Sequence, residues 1–286
     1  MKKRIWILAL LALIALLAAE IYRSNRVLSL EFEKVSVPKL TESIRIVQLS
    51  DLHNAEFGVG NEELIAQVAA QQPDLILFTG DLVTGRKKET DAAMNLVGQL
   101  VKIAPVYVSV GNHELQHENN FGSDLTGMIE YRGAKVLEFA YEDVNVKGQN
   151  LRIGGISGYC IPDIYLATGE ANLAECEFLW DFQNTDRCTL LMAHMPCCWI
   201  RNDGISLWDT DLVFAGHTHG GQFRIPFVGG VAAPDMGWFP GWLEGQFPSQ
   251  DGTKTLILSR GLSNSLPVPR LNNPPQVLVV DLVPET

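Results

Sequence analysis

The sequence predicts an α/β fold, in which helices cover both faces of a parallel sheet, preceded by one apolar N-terminal helix. Three observations predict it. Strand-like and helix-like segments alternate in a βαβαβ order between residues 44 and 110, the second half of the chain is richer in short strands, and residues 5–19 form an uninterrupted apolar run. A βαβ unit joins parallel strands through a crossover helix, which places helices on the faces of the sheet.

The composition excludes several classes of protein. The 286 residues are 47% hydrophobic and 19% charged, which is too apolar for a disordered chain. The net charge is −11, and because residues 1–26 carry five basic residues and one acidic residue, the rest of the chain carries −15. A body this acidic repels phosphate polymers, so we expect no nucleic-acid partner. The five cysteines include no CxxC motif and are expected to be buried apolar residues.

The apolar run predicts attachment to a membrane through residues 5–22. Basic residues 2–4 precede it, and its length is close to the lower limit for a membrane span. We interpret residues 1–22 as a signal anchor, with a cleaved signal peptide as the alternative, because no small-x-small cleavage pattern follows the run. The basic head predicts a single-pass anchor in the cytoplasmic membrane with the catalytic body outside the cytoplasm. The opposite orientation stays open because two arginines follow the run.

The first half of the body supplies the alternating pattern. Residues 23–43 are expected to be a polar connector, and the main domain is expected to extend over residues 44–283. Aliphatic and β-branched runs predict strands, and apolar residues spaced three or four apart predict helices, the first of them capped by Asn61. The predicted strands are residues 44–50, 75–79 and 106–110, and the predicted helices are residues 62–71 and 91–103.

The second half of the body is predicted to be mostly strand. One helix is expected at residues 173–180, and residues 223–247, which are rich in Gly, Pro and aromatic residues, are expected to form a long loop. The predicted strands are residues 135–137, 144–146, 151–156, 190–193, 212–215, 255–259 and 277–281.

Polar residues that bind metals follow five of these strands. They are Asp51-Leu52-His53, Gly80-Asp81, Gly111-Asn112-His113-Glu114, His194 and Gly216-His217-Thr218-His219. Five of the six histidines lie in this set, and the sixth, His117, is expected to be solvated. Loops at the ends of parallel strands meet at one edge of a sheet. Imidazole with carboxylate is a ligand set for divalent first-row metals, and a carboxylate such as Asp81 can bridge two cations that together activate water and clamp a phosphoryl oxygen.

As a set, these motifs resemble those of the calcineurin-like metallophosphoesterases. Three later segments further resemble the bacterial membrane-associated subgroup, which includes relatives of the enzyme that cleaves UDP-2,3-diacylglucosamine. Those segments are Gly220-Gly221-Gln222, Ser259-Arg260-Gly261-Leu262 and Pro269-Arg270. The resemblance covers residues 44–283 and implies a four-layer αββα sandwich with a binuclear metal centre.

The resemblance also implies a role for each matched residue. Asp81 would bridge two divalent metals, which could be Mn, Fe, Zn or Ni, and His113 would bind or protonate the leaving group. A metal-bridging hydroxide would be the nucleophile, so no covalent intermediate is needed. The ligands of the first metal would be Asp51, His53 and His219, and those of the second Asn112, His194 and His217.

The sequence therefore predicts a metal-dependent phosphoric ester hydrolase. It would cleave a phosphomonoester, phosphodiester or pyrophosphate bond in a small-molecule or lipid-linked substrate such as UDP-2,3-diacylglucosamine. The alternative is a catalytically silent, membrane-tethered metal-binding scaffold of the same fold. Arg260 and Arg270 are predicted to bind a substrate phosphate through bidentate hydrogen bonds, with loop-bracing arginines as the alternative.

Overall fold

The computed structural model describes residues 2–157, 177–264 and 268–285. Helices and strands alternate from a long N-terminal helix to a C-terminal strand. The helices are α1 (Lys2–Arg26), α2 (Glu62–Ala70), α3 (Asp91–Leu100), α4 (Asn112–Phe121), α5 (Leu125–Tyr131), α6 (Glu177–Phe182) and α7 (Cys197–Ile200). The strands are β1 (Ser29–Val37), β2 (Ile44–Leu49), β3 (Leu75–Thr79), β4 (Val106–Ser109), β5 (Lys135–Leu137), β6 (Ala140–Val146), β7 (Gln149–Ile156), β8 (Cys188–Ala193), β9 (Leu212–Ala215), β10 (Arg224–Ile225), β11 (Gly229–Gly230), β12 (Ala232–Ala233), β13 (Gly237–Trp238), β14 (Gly245–Pro248), β15 (Thr255–Leu258) and β16 (Gln276–Pro284).

Two six-stranded sheets form the centre of the fold. The first has the order β1-β16-β2-β3-β4-β5, and its strands from β2 to β5 are parallel. The second has the order β14-β15-β9-β8-β7-β6, and its strands from β15 to β7 are parallel. Because parallel neighbours end at the same edge, the loops that follow β2, β3 and β4 lie together, and so do those that follow β8 and β9.

The two sheets pack face to face, and helices cover their outer faces. Alternation along β2 shows this: Ile44 and Ile46 join a buried cluster that includes Phe214 of the second sheet, whereas Val47 and Leu49 join a cluster with α2 and α3. The outer face of the second sheet packs against α6 and the buried segment that follows β8. This arrangement confirms the predicted four-layer αββα sandwich.

The predicted connector over residues 23–43 is the main difference in secondary structure. It contains β1, which pairs along its full length with β16 in parallel register. Only the end of the strand is buried, at Val35 and Val37. Polar residues such as Glu31 and Glu33 lie on this edge strand, so the segment reads as polar in the sequence, and only the packing against β16 makes it a strand.

Several local predictions also differ from the structure. Asn61 precedes α2 but does not cap it, because its φ angle is 67° and its side chain accepts the N–H of Phe57. The expected loop at residues 223–247 contains two short hairpins and the start of β14. The helix expected at residues 173–180 is observed from Glu177, and its earlier part lies outside the described residues. Cys160 and Cys176 also lie outside them, whereas the other three cysteines are buried as expected.

Helix α1 stands apart from the rest of the fold for most of its length. Its residues from 2 to 19 are exposed, although most are large and apolar. Among the described residues, α1 is the one helix that is long and apolar enough to cross a membrane. Its last turns contact the body, and Ser24 is its single buried residue. The helix is therefore a candidate membrane anchor, and a signal sequence would have the same features.

Candidate metal centre

The ends of five parallel strands bring the predicted ligands together. Asp51 follows β2, Asp81 follows β3, His194 follows β8 and His217 follows β9. The two sheets are joined directly below the site, where Gln48 Nε2 of β2 donates to the carbonyl of Ala215 of β9 at 2.9 Å. The seven predicted ligands come from both sheets, and all but Asn112 are buried.

The ligand atoms form linked groups rather than a single ring. In one group, Oδ1 of Asp51 lies 4.0 Å from Nε2 of His53 and 3.7 Å from Nδ1 of His219. In the other, Nε2 of His194 lies 3.2 Å from both Oδ2 of Asp81 and Nδ1 of His217. Asp81 connects the groups, because its Oδ2 is also 3.6 Å from Nε2 of His53. His53 and Asp81 also form a third group with His113, so the three groups share residues and form one continuous cluster.

Asn112 and His113 begin helix α4 beside Asp81. The backbone N–H of His113 donates to Asp81 Oδ1 at 2.9 Å. The imidazole of His113 packs against that of His53 with 4.6 Å between ring centroids, and its Nδ1 accepts the N–H of Gly85 at 3.0 Å. The Nδ1 atom therefore accepts a backbone hydrogen bond, which Nε2 does not share.

The donor set fits two divalent cations. Several buried donor and acceptor atoms of the site have no hydrogen-bond partner: both ring nitrogens of His53, Oδ2 of Asp81 and Oδ1 of Asn112. Each such atom costs about 1–3 kcal/mol when it stays unsatisfied, and a bound cation removes that cost. Nitrogen and oxygen donors without thiolate suit first-row divalent metals.

The electrostatics of the site also favour positive charge. Burial alone would raise the pKa of the Asp51 and Asp81 carboxyls, but the surrounding histidines lower both. Burial alone would lower the pKa of His194, yet the neighbouring Asp81 and Asp51 carboxylates raise it to about 10. Burial lowers the pKa of His219 to about 3. The carboxylates therefore bind positive charge strongly, while imidazoles such as that of His219 stay neutral and available as ligands.

The backbone at the site is strained. Five of the seven predicted ligands have a positive φ angle, in the left-handed region that residues other than glycine seldom adopt. They are Asp51 (54°), His53 (48°), Asp81 (56°), His217 (69°) and His219 (48°). Such strain persists only where the surrounding structure enforces it, and it concentrates at functional sites.

Two glycines allow the loops to approach one another closely. A Cβ atom on Gly111 would clash with Oδ1 of Asp81, and one on Gly216 would clash with Ser50 Oγ and Asp51 Oδ2. Both glycines belong to the motifs that identify the site, and the structure supplies the steric reason for them.

Glu114 is a buried residue of the site to which the sequence assigned no role. Its carboxylate accepts the backbone N–H groups of Asp81 at 2.8 Å, Val83 at 3.0 Å and Gly111 at 2.8 Å. It thereby ties the loop after β3 to the start of α4. Burial, together with the charge of Asp81, raises the pKa of Glu114 to about 7. Its place at the third position of a helix beginning at Asn112 is the capping-box signal that could have revealed it.

Asp235 is a second residue that the sequence did not reveal. Its Oδ2 lies 2.8 Å from Nε2 of His217, and the other ring nitrogen of His217 faces His194. A carboxylate partner of this kind fixes the orientation of a metal-binding imidazole. No pattern within residues 223–247 singles out Asp235, because the contact arises from the path of a loop.

His117 was expected to be solvated, but it is buried on α4, where its ring nitrogens form hydrogen bonds with the hydroxyl of Ser123 and the carbonyl of Lys88.

The two arginines predicted to bind a substrate phosphate have internal partners instead. Arg260 pairs with Glu31 and Glu244 and donates to the carbonyl of Pro274. Arg270 is fully buried and donates to the carbonyls of Gly261 and Arg260. These contacts agree with the loop-bracing alternative, because both guanidinium groups are engaged inside the fold.

A comparison with known protein families identifies the family of this chain. The model of the calcineurin-like phosphoesterases matches residues 44–221, which include all seven predicted ligands. The chain belongs to the calcineurin-like phosphoesterase family. It is accordingly a metal-dependent phosphoester hydrolase with sites for metal ions.

Similar proteins occur in several bacteria. This calcineurin-like phosphoesterase is 28% identical to an uncharacterized metallophosphoesterase of Campylobacter jejuni (Cj0846), over 87% of this chain and 61% of that protein. It is also 28% identical to an uncharacterized metallophosphoesterase of Aquifex aeolicus, over 90% of this chain and 91% of that protein. It is 28% identical to the phosphodiesterase YaeI of Escherichia coli, over 84% of this chain and 82% of that protein. The chain thus spans less than two thirds of the Campylobacter protein but most of the other two.

Solved structures show a more distant likeness. The 5'-nucleotidase precursor of Thermus thermophilus superposes with a TM-score of 0.48 at 14% identity, and the match covers 84% of this chain and 54% of that protein. A likeness at this level supports no argument about the substrate.

Proposed function

We propose that the domain over residues 44–283 hydrolyses a phosphomonoester, phosphodiester or pyrophosphate bond at a binuclear metal centre. Asp51, His53 and His219 would hold one cation, Asn112, His194 and His217 would hold the other, and Asp81 would contribute to both. The linked ligand groups, with their unsatisfied buried donor atoms, carry this proposal. Two divalent cations bound there supply Lewis-acid stabilisation of phosphoryl charge and activation of water. A silent scaffold is not favoured, because no ligand of the set is missing.

His113 is the proposed catalytic residue. Because its Nδ1 accepts the N–H of Gly85, the neutral ring carries its proton on Nε2. Burial lowers the pKa of His113 to about 4, so the ring is neutral at physiological pH. In this form Nε2–H donates a hydrogen bond to a phosphoryl or leaving-group oxygen, and it stabilises the negative charge that develops there as the bond breaks.

Substitution of two histidines on the same helix tests this function. The full-length protein, in detergent and supplied with Mn²⁺, should hydrolyse p-nitrophenyl phosphate or its bis ester. His113→Ala should lower kcat by about 10²–10³-fold while the bound metal is retained. His117→Ala removes a buried imidazole from the same helix and should leave kcat nearly unchanged. Wild-type protein that binds no divalent metal and hydrolyses neither ester would refute the proposal.

We further propose that the phosphoester is part of a lipid-linked molecule, of the class of UDP-2,3-diacylglucosamine. A groove of about 780 Å³ supports this. It is lined on one side by Ala18, Ile21 and Tyr22 of the apolar helix α1, and on the other by Asn54 and Ser263. Asn54 follows a proposed ligand directly in the chain, and the carbonyl of Ser263 lies 3.1 Å from a ring nitrogen of another. The groove therefore lies between helix α1 and residues next to two of the proposed ligands.

A substitution that fills this groove tests whether the groove binds a lipid-linked substrate. Ala18→Trp should raise KM for UDP-2,3-diacylglucosamine and leave KM for bis(p-nitrophenyl) phosphate unchanged. Ala19→Trp is the matched control, because Ala19 is also exposed on α1 but does not line the groove. Equal effects on both substrates would argue against a lipid-linked substrate and leave the hydrolase proposal intact.

Independently of the substrate, we propose that the domain lies outside the cytoplasm, on a single-pass anchor in the cytoplasmic membrane; a nucleotide-sugar lipid as substrate would instead go with the cytoplasm-facing orientation. The basic residues ahead of the apolar segment support this orientation. Protease added to intact spheroplasts should digest the domain. Protection until the membrane is permeabilised would show the opposite orientation.

A further inference from the structure

The end of helix α1 is hydrogen-bonded to one short segment of the body, residues 270–273. Ser24 Oγ accepts the N–H of Asn273 at 3.0 Å. Asn25 bonds to the backbone of Arg270 in both directions, donating from Nδ2 to the carbonyl at 2.9 Å and accepting the N–H on Oδ1 at 3.0 Å. Glu20 Oε1 accepts the N–H of Asn272 at 3.0 Å and the hydroxyl of Ser24 at 2.7 Å. A helix that served only as a tether would need none of these contacts.

The segment 270–273 in turn holds the loop that carries His219. Asn273 Nδ2 donates to the carbonyl of His219 at 2.7 Å and to that of Gln222 at 3.3 Å. His219 itself has a φ angle of 48°, so its conformation depends on the groups that surround it. One hydrogen-bonded path therefore leads from Ser24, through Asn273, to the backbone of a proposed metal ligand.

A parallel path leads to Asp51, the other end of the same ligand group. The guanidinium of Arg270 donates to the carbonyl of Gly261 at 3.0 Å. Gly261 lies against the Asp51 side chain so closely that a Cβ atom would clash with it. The N–H of Ser263 donates to the Asp51 carbonyl at 2.8 Å. Both paths converge on the group formed by Asp51, His53 and His219.

We infer that Ser24 and Asn25 are positioning residues for this metal site, so that the end of the membrane helix is a structural part of the metal centre. The inference rests on the proposed function. It assigns to α1 a role beyond anchoring, because the helix fixes the loop that supplies His219. The other group, with Asp81, His194 and His217, meets these two paths only through Asp51, whose carboxylate accepts the N–H of His217 at 3.2 Å, and it should depend less on the helix.

The test uses the full-length protein in detergent and measures Mn²⁺ binding by calorimetry, together with kcat, KM and the melting temperature. The Ser24→Ala and Asn25→Ala variants, alone and combined, should weaken the binding of one of the two Mn²⁺ ions by about 10-fold and that of the other by less. In these variants kcat should fall with KM nearly constant. Ser24→Thr keeps the hydroxyl and should restore binding, and Leu17→Ala, an exposed change on the same helix, should have no effect.

A purely structural role gives a different result. If the variants lower the melting temperature but bind both Mn²⁺ ions as tightly as the wild type does, the inference is overturned. If the combined variant is too unstable to assay at equilibrium, Ser24→Thr and the single Ser24→Ala change, which removes only one hydroxyl, still provide the comparison. A wild type that binds no Mn²⁺ would overturn the proposed function, and this inference with it.

Discussion

At the scale of single residues, the metal centre depends on groups that bind no metal themselves. Glu114 gathers three backbone N–H groups, Asp235 contacts a ligand imidazole, and Gly111 and Gly216 leave room for two carboxylates. Each of them fixes the backbone or the ring that presents a ligand. Substitutions here should change metal binding or stability even though no ligand atom is lost.

Replacement of Glu114 by glutamine should destabilise the protein and weaken metal binding. Glutamine places an NH₂ group against backbone N–H donors, so at least one of the three hydrogen bonds is lost inside the fold. We expect the free energy of unfolding to fall by about 1–3 kcal/mol. Denaturant unfolding checks this. Glu118→Gln is the control, since Glu118 lies on the same helix and accepts one N–H, that of Leu125, through a single oxygen. Equal effects in both variants would contradict the prediction.

Replacement of Arg260 by lysine distinguishes loop bracing from substrate binding. Arg260 is buried and paired with Glu31 and Glu244, contacts that lysine cannot reproduce in the same geometry. We expect a lower melting temperature and an unchanged KM for bis(p-nitrophenyl) phosphate. Calorimetry and steady-state kinetics give the two readouts. A raised KM with an unchanged melting temperature would instead support the phosphate-binding role predicted from the sequence.

At the scale of elements, the site is made by strand ends, and the N-terminal elements support it from outside the region matched by the family model. β1 adds an edge to the first sheet through β16 and contributes Glu31, a partner of Arg260. Helix α1 reaches the loop that carries His219 through residues 270–273. Residues that precede the predicted domain therefore take part in its packing.

A pair of substitutions in β1 tests its contribution. Val37 is buried against the core between the sheets, whereas its neighbour Ser36 is exposed. Val37→Ala should lower the free energy of unfolding by about 1–3 kcal/mol, because the removed methyl groups leave a cavity. Ser36→Ala should change it by less than about 0.5 kcal/mol. If Val37→Ala were equally silent in denaturant unfolding, residues 23–43 would behave as the connector that the sequence predicts.

At the scale of the whole molecule, two sheets must pack correctly for the metal centre to exist. Asp51 and Asp81 belong to one sheet and His194 and His217 to the other, so the buried carboxylates and imidazoles meet only in the folded protein. A metal that binds this assembly and not the unfolded chain stabilises the whole fold by mass action.

Metal removal should therefore lower the melting temperature of the wild-type protein. At a free Mn²⁺ concentration of about 100 times the dissociation constant, each bound cation contributes about 2.7 kcal/mol of stabilisation. For a chain of this size that corresponds to roughly 5–10 °C. Differential scanning calorimetry with Mn²⁺ and with excess EDTA measures the difference. Asp81→Asn, which lacks the bridging carboxylate, should show a much smaller one, and a wild type that is insensitive to EDTA would be evidence against a buried metal centre.

The sequence by itself determined the α/β class, the apolar helix and the motifs that hold the clustered ligands, because strand runs and their terminal polar residues are local patterns. It did not reveal β1, whose polar residues hide an edge strand, nor Asp235, whose contact depends on the path of a loop. It also did not reveal that Glu31 and Glu244 pair with Arg260 or that Arg270 is fully buried. Only the tertiary structure decided these points, because each depends on contacts between separate segments of the chain. β1 pairs with β16, the guanidinium groups are buried among other segments, and Asp235 reaches His217 from a later loop.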